Sequence, residues 1–357
     1  MLPEVVDAME PWLRDGYGNP SSLHADGRRA KDAIDKAREI ISDSLGALFA
    51  EVIFTSSGTE AANLASVGAA LANEDSRRKR ILFSAVEHHC VLHTEPILRR
   101  LGYEVELIPV DRIGRVRLKA LQDMLGEDVL LVSVMHANNE LGTIQPIEEV
   151  ARMANENGTL FHCDAVQTFP TSDLHADLVT ISAHKINGPK GVGAIYIKAG
   201  TRIKPITVGG GQEREMRAGT ENTATIVGFG EATKQIKNRP DNRREARDTF
   251  LSALQIPQLI QTVPNSDDLL QGHAHIRIPG VQAETMLILL DRMGVSASSG
   301  AACSSGSIEP SHVLLACGYT QEEAKEGLRF TFGRETSLEE AKEAAQCVHD
   351  AAKQLGR

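Results

Sequence analysis

Three short strings in this sequence each set a chemically capable side chain at the end of an apolar run. In TSSGTE (55–60) small and hydroxyl residues lie between an apolar strand and the start of a helical segment. Free backbone N–H groups and the positive end of the helix dipole gather at such a junction, and glycine lets an anion approach closely. A phosphate group fits there, and an ordinary Ser/Thr helix cap is the other reading. The string lacks the lysine of GxxxxGK[ST], so a nucleoside-triphosphate loop is not supported; GPKGVG (188–193) and GGGQ (209–212) miss the nucleotide fingerprints as well. In HCDAVQ (162–167) Asp164 follows the apolar strand TLFHC. Ligands of open α/β sheets collect beyond the carboxyl ends of strands, so Asp164 faces such a site or else caps a helix. In ISAHKINGPKG (181–191) Lys185 stands just after a strand, with His184 before it and a Gly-Pro turn behind. A lysine in that place is expected to be desolvated, which lowers its pKa and yields a neutral nucleophile for carbonyl condensation; a solvated loop lysine is the plainer reading. Jointly, an anion pocket, a strand-end carboxylate and a strand-end amine meet the needs of the phosphate, ring nitrogen and aldehyde of pyridoxal phosphate.

The elements that must carry these strings are short β-branched runs alternating with longer segments of helical period, the pattern of a mostly parallel sheet flanked by helices. The runs are 52–55, 81–86, 104–110, 129–134, 159–163, 178–182 and 194–198. A long charged stretch, EATKQIKNRPDNRREARDTFLSALQ, reads as a helical bridge broken near Pro240, and a mixed α+β region follows it. At roughly 150 residues per domain, 357 residues predict two domains. The expected division is a large cofactor-binding domain over 12–235 and a small domain formed by 1–11 and 236–357. Forty-one per cent apolar residues suffice for two cores, yet no window reaches the 18 uninterrupted apolar residues of a membrane span. The net charge of -10 disfavours a sequence-independent hold on phosphate backbones, so no direct nucleic-acid partner is expected.

Five cysteines without CxxC spacing indicate neither a disulfide framework nor a cysteine-rich zinc module. With a start, MLPEVVDAMEPWLRDG, that has acids and an early proline where an export signal has a basic stretch, they lead to an expected cytoplasmic location. Cys303 differs from the other four because every neighbour from Ser296 to Ser307 is Ser, Ala or Gly. No large apolar side chain anchors that segment, so it is expected to carry its thiol between a buried cofactor and an outside acceptor. Cys90, Cys163, Cys317 and Cys347 are read as structural. HHCVLH (88–93) with HCD (162–164) also permits a zinc-hydrolase reading, set against the poor geometry of adjacent His88 and His89.

The strings GNPSSLH, SSGTEAAN, EHH, NNELG, HCDAVQ, SAHKINGPKG, GGGQEREMRAGTEN, SSGAACSSGSIEPSH and LRFTFG occur in that order. With them the chain resembles, over nearly its whole length, the cysteine desulfurases of the class V aminotransferase superfamily, in the subgroup with a long cysteine loop. The resemblance implies the pyridoxal-phosphate-dependent transferase fold type I, an α/β large domain with a mostly parallel sheet plus a smaller α+β domain. It implies a homodimer with shared sites that converts L-cysteine to L-alanine. Sulfur passes to Cys303 and then to an acceptor protein, such as a scaffold or sulfur carrier in iron–sulfur cluster assembly. Lys185 would condense with the cofactor, Asp164 face its ring nitrogen, Gln167 its ring hydroxyl, and Gly58, Thr59, Ser182 and His184 its phosphate. Thr220 would reach the phosphate of the neighbouring subunit. His88 would stack on the ring and move protons, Asn139 would orient substrate or ring, and Arg329 would clamp the substrate carboxylate through a bidentate pair. No metal site is implied. A selenocysteine lyase or another class V enzyme shares this set of residues, and a non-catalytic sulfur carrier is a third reading that Lys185 and Asp164 oppose. One position departs from the family's pattern: Glu215 stands where glycine is commoner, and a positive φ would be uncomfortable there.

Overall fold

The seven apolar runs form seven strands: β1 (Val52–Thr55), β2 (Arg80–Ser84), β3 (Glu104–Ile108), β4 (Val129–Ser133), β5 (Leu160–Asp164), β6 (Leu178–Ser182) and β7 (Gly193–Ile197). The computed structural model describes residues 1–75, 77–171, 175–300 and 310–356. The strands make one sheet in the order β1-β7-β6-β5-β4-β2-β3. Neighbours pair in parallel from β6 to β3, while β7 runs antiparallel to both β6 and β1. β1 therefore points the same way as β6, and the carboxyl ends of β1, β2, β4, β5 and β6 share one edge. β1, β4 and β6 are buried at every residue, as strands covered on both faces must be. The edge strand β3 buries only Val105 and Ile108, and Glu106 on it pairs with Arg80 of β2 at 2.5 Å.

Two compact units divide the chain. The first comprises Met1–Ile108, Leu118–His136 and Pro146–Asn238; the second comprises Pro109–Arg117, Ala137–Gln145 and Arg239–Arg357. The bridge breaks as its proline predicts, into helices Thr223–Asn238 and Arg243–Ala253. Residues 1–11, expected with the second region, lie in the first unit. The helix Pro3–Arg14 buries Val5 and Met9, and Met9 sits so close to Gly228 that a Cβ there would stand 2.6 Å from its sulfur. In the second unit, β8 (Ile260–Gln261), β9 (His273–Arg277) and β10 (Gly327–Thr331) form an antiparallel sheet in the order β10-β9-β8. One face, with Ala274, Ile276, Leu328 and Phe330, packs on Phe250, Met286, Leu290 and Val348 from its helices. Alternation along the strands places His275 and Arg329, partners in register, on the opposite face. Among the described residues no helix is long and apolar enough to cross a membrane.

Glu213, Arg214 and Glu215 have φ of 45°, 56° and 65°, a left-handed turn built without glycine. A buried ion pair holds it: Arg38 donates to the two Glu213 oxygens at 2.8 and 2.6 Å, and the Phe54 N–H donates to the same carboxylate at 2.7 Å. Left-handed backbone costs a residue with a Cβ about 1–2 kcal/mol, offset partly by glycine's greater unfolded entropy. Glu215 is exposed, so Glu215→Gly should raise the unfolding free energy by about 0.5–1 kcal/mol, visible as a higher denaturant midpoint at unchanged slope. A lower midpoint would mean that the Glu215 side chain itself stabilises the turn.

Candidate active site

In the first unit the shared carboxyl edge gathers most of the expected residues. The helix Gly58–Ala72 starts directly after β1 and is capped by Ser57, whose hydroxyl accepts the Glu60 N–H at 3.1 Å. Gly193 of β7 lets this start sit on the sheet, since a Cβ there would stand 2.6 Å from the Ser57 carbonyl carbon and 2.7 Å from the Gly58 nitrogen. The helix's first N–H groups have no partner within the helix, which leaves donors for an anion at Gly58 and Thr59. A Cβ on Gly58 would fill the space towards Val166 and Ser182, at 3.2 Å from Val166 Cγ2 and 3.4 Å from Ser182 Cβ. Ser182, closing β6, shares a hydrogen bond of 2.9 Å with His184 Nδ1. Burial, then the charges of Lys185 and Lys190, keep His184 below its ordinary pKa. Arg217 ties the segment that carries Thr220 to the first turn of this helix through Glu60, at 2.9 Å. Thr220 is exposed.

Asp164 ends β5 at 6% exposure. One oxygen accepts the Val166 N–H at 3.0 Å. Burial pushes its carboxyl up to about 6, against the pull of that N–H and of the Lys185 charge. A buried acid in this state favours a cation beside it. Lys185 rides on the 3-10 turn Ala183–Ile186 that follows β6. Its side chain is exposed, so the expected desolvation does not come from burial within the chain. His88 caps the short helix His89–Leu92, its Nδ1 accepting the Cys90 N–H at 3.1 Å, which places the ring proton on Nε2. Gln167 is half-buried in the turn after Asp164.

Two contributors were not legible as such in the sequence. Glu87, next to His88 in the EHH string, is fully buried and accepts the Met135 N–H. Burial and then the Asp164 charge raise its pKa well above the usual range. His162, two residues before Asp164 and on the same face of β5, joins three strands: Nδ1 meets Ser133 Oγ at 2.8 Å and Nε2 meets Thr180 Oγ1 at 2.9 Å. That engagement removes it from the zinc reading, and among the described residues no group of three or more His, Cys, Asp or Glu could hold a metal ion. Burial depresses His162 to about 3. The unfolded chain binds this proton near pH 6.5 and the folded chain does not, so the contribution of neutral His162 is complete above about pH 6.5 and is lost as pH falls towards 3. The stability advantage of the native chain over His162→Asn should accordingly shrink between pH 7 and pH 4 in parallel denaturant titrations. A constant difference would show that His162 does not titrate this way.

The second unit places Asn139 and Arg329 together: Arg329 Nη1 donates to the Asn139 carbonyl at 2.9 Å. Cys303 lies outside the described residues. A separate cleft of about 470 Å³ opens in the first unit at the opposite, amino-terminal edge of the sheet, lined by Asn73, Arg78, Asp177, Lys198 and Arg202 among others. Lys198 and Arg202 are already paired there with Asp177 and Glu74, and the strand-end residues above do not line it.

The donor set at the carboxyl edge fits pyridoxal phosphate: a glycine-floored helix start for a phosphate, a buried carboxyl for a ring nitrogen and an amine close enough to influence that carboxyl. The sequence profile of the family Aminotransferase class-V matches residues 1–343. The cysteine desulfurase IscS of Dictyoglomus turgidum is 44% identical over 348 residues, covering 94% of this chain and 88% of that protein. A solved NifS-like protein superimposes with a TM-score of 0.90 at 34% identity, covering 100% of this chain and 96% of the other. A second solved structure, SspA in complex with cysteine, gives 0.84 at 31% identity, with 94% and 97% covered.

Proposed function

The chain belongs to the class-V aminotransferase family, and from that membership we infer that it is a pyridoxal-phosphate-dependent cysteine desulfurase. The observation that carries the reading is the buried Asp164, with the Lys185 charge acting on it beside the Gly58 helix start, in a chain 44% identical to a cysteine desulfurase along 94% of its length. Bound at this edge, pyridoxal phosphate supplies an aldehyde that condenses with amines and a ring that takes up electrons released at the substrate α-carbon.

The residues divide the remaining work. Gly58, Thr59, Ser182 and His184 hold the phosphate, with Thr220 contributing to the site of a second copy in a homodimer. Asp164 would keep a proton on the ring nitrogen. Gln167 meets the ring hydroxyl. Arg329 binds the carboxylate of L-cysteine through its planar fork, and Asn139 orients the substrate. Lys185 Nζ would take the α-proton, and His88, with its ring proton on Nε2, would be the second proton carrier beside the bound cofactor. The Cys303 thiolate attacks the substrate sulfur; the Cβ–S bond breaks with its electron pair staying on carbon, and an S–S bond forms on Cys303. Atoms balance as L-cysteine plus the Cys303 thiol giving L-alanine plus a Cys303 persulfide, which thiol exchange then passes to an acceptor protein. A scaffold or sulfur carrier for iron–sulfur cluster assembly fits that role, and a reducing, cytoplasmic setting suits the free thiols of Cys90, Cys163, Cys317 and Cys347.

The deciding experiment supplies L-cysteine to the cofactor-loaded chain, measures alanine and maps the persulfide by peptide mass. Alanine equal to transferred sulfur, with the first sulfur on Cys303, is the expected result. A keto acid in place of alanine would point to transamination, and activity only with selenocysteine to the lyase.

A further inference from the structure

Both flanks of the segment that carries Cys303 come to one carboxylate. Ser311 donates its hydroxyl to Glu140 Oε2 at 2.5 Å, and Ser311 and Glu140 are 3% and 4% exposed. Ser311 Oγ also accepts the Leu314 N–H at 3.2 Å, capping the helix His312–Ala316 that leads away from the segment. On the other flank Gly300 has φ +79°, and a Cβ there would stand 2.4 Å from Glu140 Oε2 and 3.0 Å from its Cδ. Two residues earlier, Ser298 bridges to Arg329, its N–H donating to the Arg329 carbonyl at 3.1 Å and its carbonyl accepting the Arg329 N–H at 2.6 Å. Glu140 itself is fixed at the backbone, because Asn138 Oδ1 accepts the N–H groups of Glu140 and Leu141, each at 2.9 Å. Its neighbour Asn139 accepts from Arg329. The loop 138–141 thus meets the substrate-clamping arginine and both flanks of the sulfur-accepting segment. Burial raises the Glu140 pKa, and the Ser311 hydroxyl and then the Arg329 charge oppose that rise.

We propose that Glu140 is a positioning residue for sulfur transfer: its carboxylate accepts the Ser311 hydroxyl and packs against Gly300, and so sets where the chain leaves and re-enters on either side of Cys303, beside Arg329. The proposal rests on the desulfurase reading. Glycine is favoured at 300 for two reasons, the positive φ and the Glu140 carboxylate that a Cβ would have to displace. A buried carboxylate accepting a hydroxyl is among the stronger tethers available to a loop, and its loss is felt mainly where the loop has to arrive in a defined place.

The test compares Glu140→Ala, Glu140→Gln and Ser311→Ala with the native chain. Gln keeps an oxygen for the Ser311 hydroxyl, whereas Ala removes the tether. In single turnover with L-cysteine, Glu140→Ala should form the Cys303 persulfide about tenfold more slowly and Ser311→Ala several-fold more slowly, while Glu140→Gln stays within about threefold of native. The loss should sit in kcat, with KM for L-cysteine changed less than about twofold. In the cofactor-free protein, amide exchange at Ser298 and Arg329 should speed up in Glu140→Ala and Ser311→Ala but not in Glu140→Gln. Should Glu140→Ala not fold, Ser311→Ala carries the same comparison with Glu140 intact. Persulfide formation within twofold of native in both tether-breaking variants, or an equal loss in Ala and Gln with unchanged exchange, would overturn the proposal. A native chain that forms no persulfide would instead overturn the desulfurase reading.

Discussion

Lys185→Ala should leave the chain unable to hold pyridoxal phosphate covalently and should lower alanine release from L-cysteine by at least about a thousandfold. Two losses combine: the amine that condenses with an aldehyde, and the base that takes the α-proton, a group whose removal alone costs about 10²–10⁴ in rate. The comparison with Lys185→Arg separates chemistry from charge. A guanidinium keeps the positive charge that acts on Asp164, yet it stays protonated and cannot condense, so Arg should be as inactive as Ala while preserving the electrostatics of the edge. Borohydride fixation followed by peptide mass gives the covalent readout, and alanine release gives the rate. If Lys185→Ala retained more than a tenth of native alanine release, or if borohydride fixed the cofactor on another lysine, the assignment would be wrong.

Cys303→Ser should stop persulfide formation entirely while leaving the cofactor bound and the response of its absorption band to L-cysteine intact. A serine hydroxyl is far too weak an acid to present the anion that a thiol presents near neutral pH, and it accepts no sulfur. Three of the four described cysteines have thiols raised by burial. Cys163 is fully buried, and burial together with Asp164 and Glu87 raises its thiol well above the ordinary range. Burial pushes Cys317 up to about 12 and raises Cys347 as well. Cys90 is half-buried and has its N–H against His88. Peptide mass after one turnover reads the outcome directly. A persulfide on any other cysteine at the native rate would move the nucleophile, and sulfur transfer by Cys303→Ser would remove it.

These two residues stand out in local strings because their signals are local. A lysine just past a strand, and a thiol among twelve consecutive positions otherwise filled by Ser, Ala and Gly, need no partner to be noticed. The strands were legible for the same reason, since an apolar run of four to seven residues reports its burial directly. Strand order was not legible. β7 enters antiparallel between β1 and β6, strands far apart in sequence, and no periodicity within a run encodes its neighbour. Nor did composition indicate that 109–117 and 137–145 belong to the second unit. Their attachment depends on long-range contacts such as Thr143 with Leu269 and Ile144 with Asp268.

The chain's local chemistry therefore offers the groups proposed to react: an amine at 185, a carboxyl at 164, a helix start at 58 and a thiol at 303. Folding settles their condition. Asp164 is driven up to about 6 and His162 down to about 3 because burial removes the water that would stabilise their charged forms. Glu213 finds Arg38 at a separation of 175 residues and Glu140 finds Ser311 at 171, distances along the chain that no motif spans. Residue identity is written position by position, whereas desolvation and pairing exist only once remote segments have packed together and excluded solvent.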